Sequence, residues 1–171
     1  MKYSNPEMET RAKTLQTTID AILSPNTSPQ NRAAANQTCE SYKTDLPPPD
    51  QWELATYIIN SSDQDFNLTT KKFAIQLMQH FIINNWNTLN GQQRNSTQSG
   101  LINCISNVEN STKPVYILDA FAKCLTAIAL RTWPQFWGSM LGDFDKERKE
   151  NLEKNTFFSG KKPIFLSFFL L

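Results

Sequence analysis

Glycine is scarce in this chain, five in 171 residues, and there is no Gly-rich run of the kind that cradles a phosphate. Histidine occurs once, at His80, and no carboxylate or cysteine pattern at metal-ligand spacing surrounds it. The three cysteines, Cys39, Cys104 and Cys124, are odd in number, far apart and form no C-x-x-C pair. That argues against both a disulfide framework and a zinc centre, and for reduced thiols in a nuclear or cytosolic setting. Charge of either sign is modest: 17 basic against 16 acidic residues, a net +1. A near-neutral chain has no electrostatic footprint for a polyanion or an anionic membrane. Long apolar runs are missing too. The opening Met1-Lys2-Tyr3-Ser4-Asn5-Pro6 lacks a signal-peptide core. The apolar stretch Ile164–Leu171 is far short of the roughly 20 residues that a spanning helix needs. G-x-S-x-G, Walker A and H-E-x-x-H are all absent, so nothing invites an enzymatic reading, a metal or a cofactor. Asparagine is abundant, and chance accounts for the six N-x-S/T triplets at Asn26, Asn36, Asn60, Asn67, Asn95 and Asn110.

What the chain does have is helical periodicity. Met8, Ala12, Leu15, Ile19, Ile22 and Leu23 predict a helix over 7–23. Ser28 followed by Pro29 is a start signal, with serine as N-cap and proline in the first turn, for a helix to about Lys43 that carries Ala35, Cys39 and Tyr42 on one face. Asp45-Leu46-Pro47-Pro48-Pro49 ends it. Further helices are expected over 49–60, 66–86, 89–108, 115–131 and 134–149. In the 89–108 segment the stripe is Leu101, Ile102, Ile105 and Val108, and Gly91 and Gly100 weaken it. Helix following helix across short turns, with no strand alternation, predicts antiparallel helical hairpins.

An internal repeat supports this. At an offset of 47, Phe73–Trp86 overlays Ala120–Trp133: Leu77 meets Cys124, Met78 meets Leu125, Phe81 meets Ile128, Ile83 meets Leu130 and Trp86 meets Trp133. The polar positions agree as well, Gln76 with Lys123, Gln79 with Thr126 and Asn84 with Arg131. Only His80 against Ala127 breaks the pattern. A period near 47 is at the upper end of helical-pair repeats, in which stacked pairs bury a core that one pair alone cannot cover.

The stretch Phe73-Ala74-Ile75-Gln76-Leu77-Met78-Gln79-His80-Phe81 resembles the N-terminal region of the importin-β/exportin (karyopherin) family. The string Trp133-Pro134-Gln135-Phe136-Trp137-Gly138-Ser139-Met140-Leu141, taken with Ser28–Ala33 and Cys39–Lys43, is similar to the exportins in particular, and the resemblance runs from about Leu15 to Leu141. It implies an all-α fold of HEAT-type antiparallel hairpins stacked as a right-handed α-α superhelix, with residues 1–6 a flexible start. Residues 7–144 would supply about three pairs and the start of a fourth, and 145–171 a divergent charged and then apolar tail. It also implies a receptor that shuttles between nucleus and cytoplasm and binds the small GTPase Ran in its GTP form. Double-stranded, microRNA-precursor-like RNA would be cargo only for a longer receptor, nuclear pore proteins would be further contacts, and no membrane is expected. The alternative is a helical adaptor associated with membranes through the apolar tail.

The candidate site is the polar face of the inner helices, which the family turns to a concave surface that receives Ran: Lys72, Gln76, Gln79 and His80 on one, Asp119, Lys123 and Thr126 on its repeat equivalent, with Asn36 and Glu40 extending the row. Trp86, Trp133, Pro134 and Trp137 are read as core, the proline starting a helix and the indoles wedging neighbouring repeats.

Overall fold

The computed structural model describes residues 6–62, 64–109 and 114–132. They form six α-helices: α1 (Pro6–Leu23), α2 (Pro29–Thr44), α3 (Pro48–Asn60), α4 (Leu68–Asn85), α5 (Gly91–Glu109) and α6 (Val115–Thr132). A short 3-10 turn, Trp86–Thr88, follows α4, and there is no strand among the described residues. All but the last residue of α6 belong to the first of two units, 1–131 and 132–171. The helix expected over 134–149, with Trp133, Pro134 and Trp137, lies outside the described residues, as does the tail.

Local chemistry sets the helix boundaries. Ser28 Oγ accepts from the Asn31 N–H at 3.2 Å, and Pro29 occupies the first turn of α2. α4 begins two residues later than the apolar periodicity suggested because Asn67 is its N-cap, its Oδ1 accepting from the Thr70 N–H at 2.9 Å. Phe66, just before the cap, is buried and meets Tyr57 edge-on at 6.1 Å.

α1 packs on α2 and α3 on α4 as hairpins, while α1, α3 and α5 neighbour one another in sequence and α2 lies beside α4. Side-chain hydrogen bonds tie successive pairs together. Arg11 Nη1 donates to Asp50 Oδ2, 39 positions on, at 3.0 Å, joining α1 to α3. Asn107 Nδ2 donates to Asn60 Oδ1, 47 positions back, at 2.9 Å, joining α5 to α3. α6 is tied to α4 through the Cys124 thiol on the Ile75 carbonyl at 3.5 Å and Arg131 Nη2 on the Ile83 carbonyl at 2.9 Å.

Two sequence expectations are corrected. Ile102 is not part of the α5 stripe. It is 53% exposed, while Leu101 and Ile105 are buried as expected and Thr97 and Cys104 join them, the 3–4 spacing that one inward face requires. Gly100 is not a weak point but a close approach: a Cβ there would meet the Trp52 ring at 3.3 Å, so its absence lets α5 lie on α3.

The core runs through every helix. α4 is buried on both flanks: Ala74, Leu77 and Phe81 on one, with Phe81 5.3 Å from the Trp52 ring of α3, and Ile75, Met78 and Ile82 on the other. On α6 the repeat-equivalent positions of that second flank, Ala122, Leu125 and Ala129, are only half-buried. Among the described residues no helix is long and apolar enough to cross a membrane.

Leu54, fully buried on α3, should cost about 2–5 kcal/mol when changed to alanine, through lost transfer energy and the cavity left behind; chemical denaturation of wild type and L54A measures it. The thiols give a pH signature. Burial pushes Cys104 up to about 11 and, with Cys104 nearby as a smaller cause, Cys124 up to about 12, from an ordinary 9.0. A folded-state pKa above the unfolded one means that the native protein holds more protons in this range. The stability this confers is complete below pH 9 and is lost as pH rises through 11 and 12. Thermal melts should therefore fall over that interval, and alanine at both cysteines should flatten the fall.

Candidate functional site

The side of α4 left over from its two buried flanks carries Thr69, Lys72, Gln76 and Ile83, all exposed, with Phe73, Gln79 and His80 half-buried at its margins. The matching side of α6 carries Tyr116, Lys123, Thr126 and Leu130, exposed, and Asp119, half-buried. The two strips lie next to each other and run the same way. Lys72 Nζ is 5.4 Å over the Tyr116 ring near the start of both helices, and Arg131 reaches Ile83 near their ends. On the other side, Lys43 Nζ of α2 is 5.4 Å over the Phe73 ring. α2, α4 and α6 are thus joined in one row by two cation–ring contacts.

Asn36 and Glu40 of α2 and Lys72 and Gln76 of α4 line a common groove of 310 Å³, whose wall also includes Phe73, Lys43 and the Ile22–Leu23 end of α1. Four of the nine residues expected from sequence therefore meet in one place. Asp119, Lys123 and Thr126 are on the neighbouring strip and do not line it.

The charges are mostly spoken for. Lys43 pairs with Glu40 at 2.7 Å, three residues back on α2, and Lys123 pairs with Asp119 at 2.8 Å, four residues back on α6. Exposed pairs of this kind contribute little stability, but they cancel charge locally. Lys72 has no carboxylate partner among the described residues, and its Nζ lies over the Tyr116 ring. Arg131 donates only to main-chain carbonyls, of Ala127 and Ile83.

His80 belongs to this face less freely than its sequence position implies. It is half-buried, with Nδ1 3.5 Å from Gln51 Oε1. An amide oxygen only accepts, so this contact requires the proton on Nδ1. Gln51, 3% exposed, is itself a fastener: its Nε2 donates to the Lys43 carbonyl at 2.9 Å and the Leu46 carbonyl at 2.8 Å, holding the α2–α3 turn. Trp86 is 1% exposed, and its Nε1 has no partner among the described residues.

Sequence reasoning missed Lys43, Gln51, Phe73 and Tyr116 as parts of this region. Gln51 had a faint signal, a polar residue one turn before the buried Leu54–Ala55 pair. The aromatics had none, because a ring under a lysine from another helix leaves no mark on local periodicity. Among the described residues, no three His, Cys, Asp or Glu side chains are grouped to hold a metal ion. What the arrangement offers is a polar face with aromatic and aliphatic insets.

No family model matches the chain. Over 134 residues, 77% of its length, it is 21% identical to exportin-5 of Homo sapiens, a member of the karyopherin family. The match takes in 11% of exportin-5, so the chain spans about a tenth of that protein's length.

Replacing Gln51 with leucine should leave two main-chain carbonyls without a donor, costing about 1–3 kcal/mol. The same change should free the His80 ring, which a shift of its imidazole proton resonances in NMR would register.

Proposed function

We propose that this chain is the N-terminal stretch of a nuclear export receptor, and that its α2–α4–α6 row is a contact surface for Ran in the GTP state. The distant similarity to exportin-5 carries the reading. Karyopherins are transport receptors and not enzymes, which accords with a face built for contact and not for proton or group transfer. The repeat-spaced ties between pairs support a HEAT-type stack, with the row on its concave side. RNA cargo, microRNA-precursor-like, belongs to the longer receptor, because a chain of net charge +1 cannot make the multi-phosphate contact that duplex binding needs. Shuttling between nucleus and cytoplasm and contact with nuclear pore proteins belong to the same reading.

GTP selectivity follows if Ran offers this row its switch surfaces only in the GTP-bound state, because a binder shifts a two-state partner only by its differential affinity for the states. The full chain, purified and shown to be helical by circular dichroism, should capture Ran loaded with a non-hydrolysable GTP analogue and not Ran loaded with GDP. Equal capture of both forms, or of neither by a folded sample, counts against the proposal.

A further inference from the structure

We infer that Lys72 is the single charged anchor of this row and takes a carboxylate from a protein partner, while Lys123, its counterpart on α6, contributes no binding charge. The inference rests on the reading above for the partner's name, but the chemistry comes from the row itself. Three lysines face it, and Arg131 at its end has its guanidinium committed to the Ala127 and Ile83 carbonyls. Lys43 is neutralised by Glu40 at 2.7 Å and Lys123 by Asp119 at 2.8 Å. Lys72 is exposed, rests over the Tyr116 ring at 5.4 Å and faces no carboxylate among the described residues. A ring beneath an ammonium steadies it without cancelling its charge or closing its three donors, so Lys72 is preset to receive an anion from outside.

The anion is a carboxylate and not the phosphate of a nucleic acid for two reasons. Duplex phosphates come in closely spaced series, and a lone cation flanked by two ion pairs of no net charge, Glu40 with Lys43 and Asp119 with Lys123, can meet only one phosphate of such a series. The same strip also carries apolar insets that suit protein side chains: Ile83, 44% exposed, and Leu130, 74% exposed, which sit at repeat-equivalent positions on α4 and α6. Lys72 and Ile83 are eleven positions apart, roughly 16 Å along a helix. The footprint is therefore that of a protein surface with an acidic residue at one end and an apolar one at the other.

The test measures affinity of the full chain for GTP-loaded Ran, with double-stranded RNA as a second probe, for wild type, K72E, K72R and the double variant D119N/K123Q. Circular dichroism and melting temperature confirm that each folds. The expected result is a loss of about tenfold or more for K72E, near-wild-type affinity for K72R, and near-wild-type affinity for D119N/K123Q, which deletes an internal pair without changing net charge. Raising salt should weaken wild type more than K72E. If wild type binds GTP-loaded Ran and K72E binds equally well, the anchor assignment is overturned and the Ran reading stands. If D119N/K123Q loses as much as K72E, the partition between the two lysines is wrong. If folded wild type does not bind Ran at all, the Ran reading falls and the anchor with it, and RNA binding that K72E abolishes would overturn the choice of carboxylate over phosphate.

Discussion

A helix that is apolar on two flanks has to lie between two neighbours, and α4 is such a helix. Ala74, Leu77 and Phe81 face one way, with Phe81 against Trp52, and Ile75, Met78 and Ile82 line the adjoining flank, where the Ile75 carbonyl takes the Cys124 thiol. Burying both flanks is the main favourable term available to a segment of this composition. Once that is done, only a narrow strip of α4 is left for solvent, and its position is decided by the packing. Lys72, Gln76 and Ile83 are exposed because they lie on the side of the helix turned away from that packing.

The same constraint explains why the row is joined as it is. Helices stacked side by side need few polar links if their flanks interlock, and those present here sit mostly at helix ends. Arg94 donates to the Trp86 and Asn87 carbonyls, and Arg131 to the Ile83 carbonyl, so two guanidinium groups satisfy acceptors that the end of α4 leaves open. Lys71, 4% exposed, donates to the Ser61 carbonyl at 2.6 Å, placing a cation at the end of α3. Asn67 does two jobs, capping α4 and donating to Asp20 at 3.0 Å on α1. Basic and amide side chains spent on carbonyls are unavailable to a partner, which leaves Lys72 as the conspicuous exception among the described residues.

How the charges are distributed bears on what the surface can recognise. Short-range pairing along one helix, Glu40 with Lys43 and Asp119 with Lys123, leaves a face whose formal charge is small but whose dipoles are many. Such a face selects by shape and by a few well-placed contacts more than by long-range attraction. It suits a folded protein partner better than a polyanion, in agreement with the distant similarity to a karyopherin.

The six described helices and the order in which they come were legible in the sequence, because 3.6-residue periodicity, the Ser28–Pro29 start and the proline run at Pro47–Pro49 are local signals that act through the backbone of their own segment. The 47-residue offset between Phe73–Trp86 and Ala120–Trp133 is likewise a pattern of the sequence, and Ile83 and Leu130, which it pairs, are both exposed. The exposed members of the candidate face, Lys72, Gln76 and Lys123, could be picked out by helix phase alone. Tertiary structure decided what phase cannot: that His80 is tied to Gln51, that Ile102 turns outward while Cys104 turns in, that Gly100 is a contact and not a defect, and that Phe73 and Tyr116 lie beneath lysines of neighbouring helices. Each of these depends on which helix lies alongside, at what height and at what distance. Those are relations between segments far apart in the chain, and a periodicity read along one segment contains no information about them.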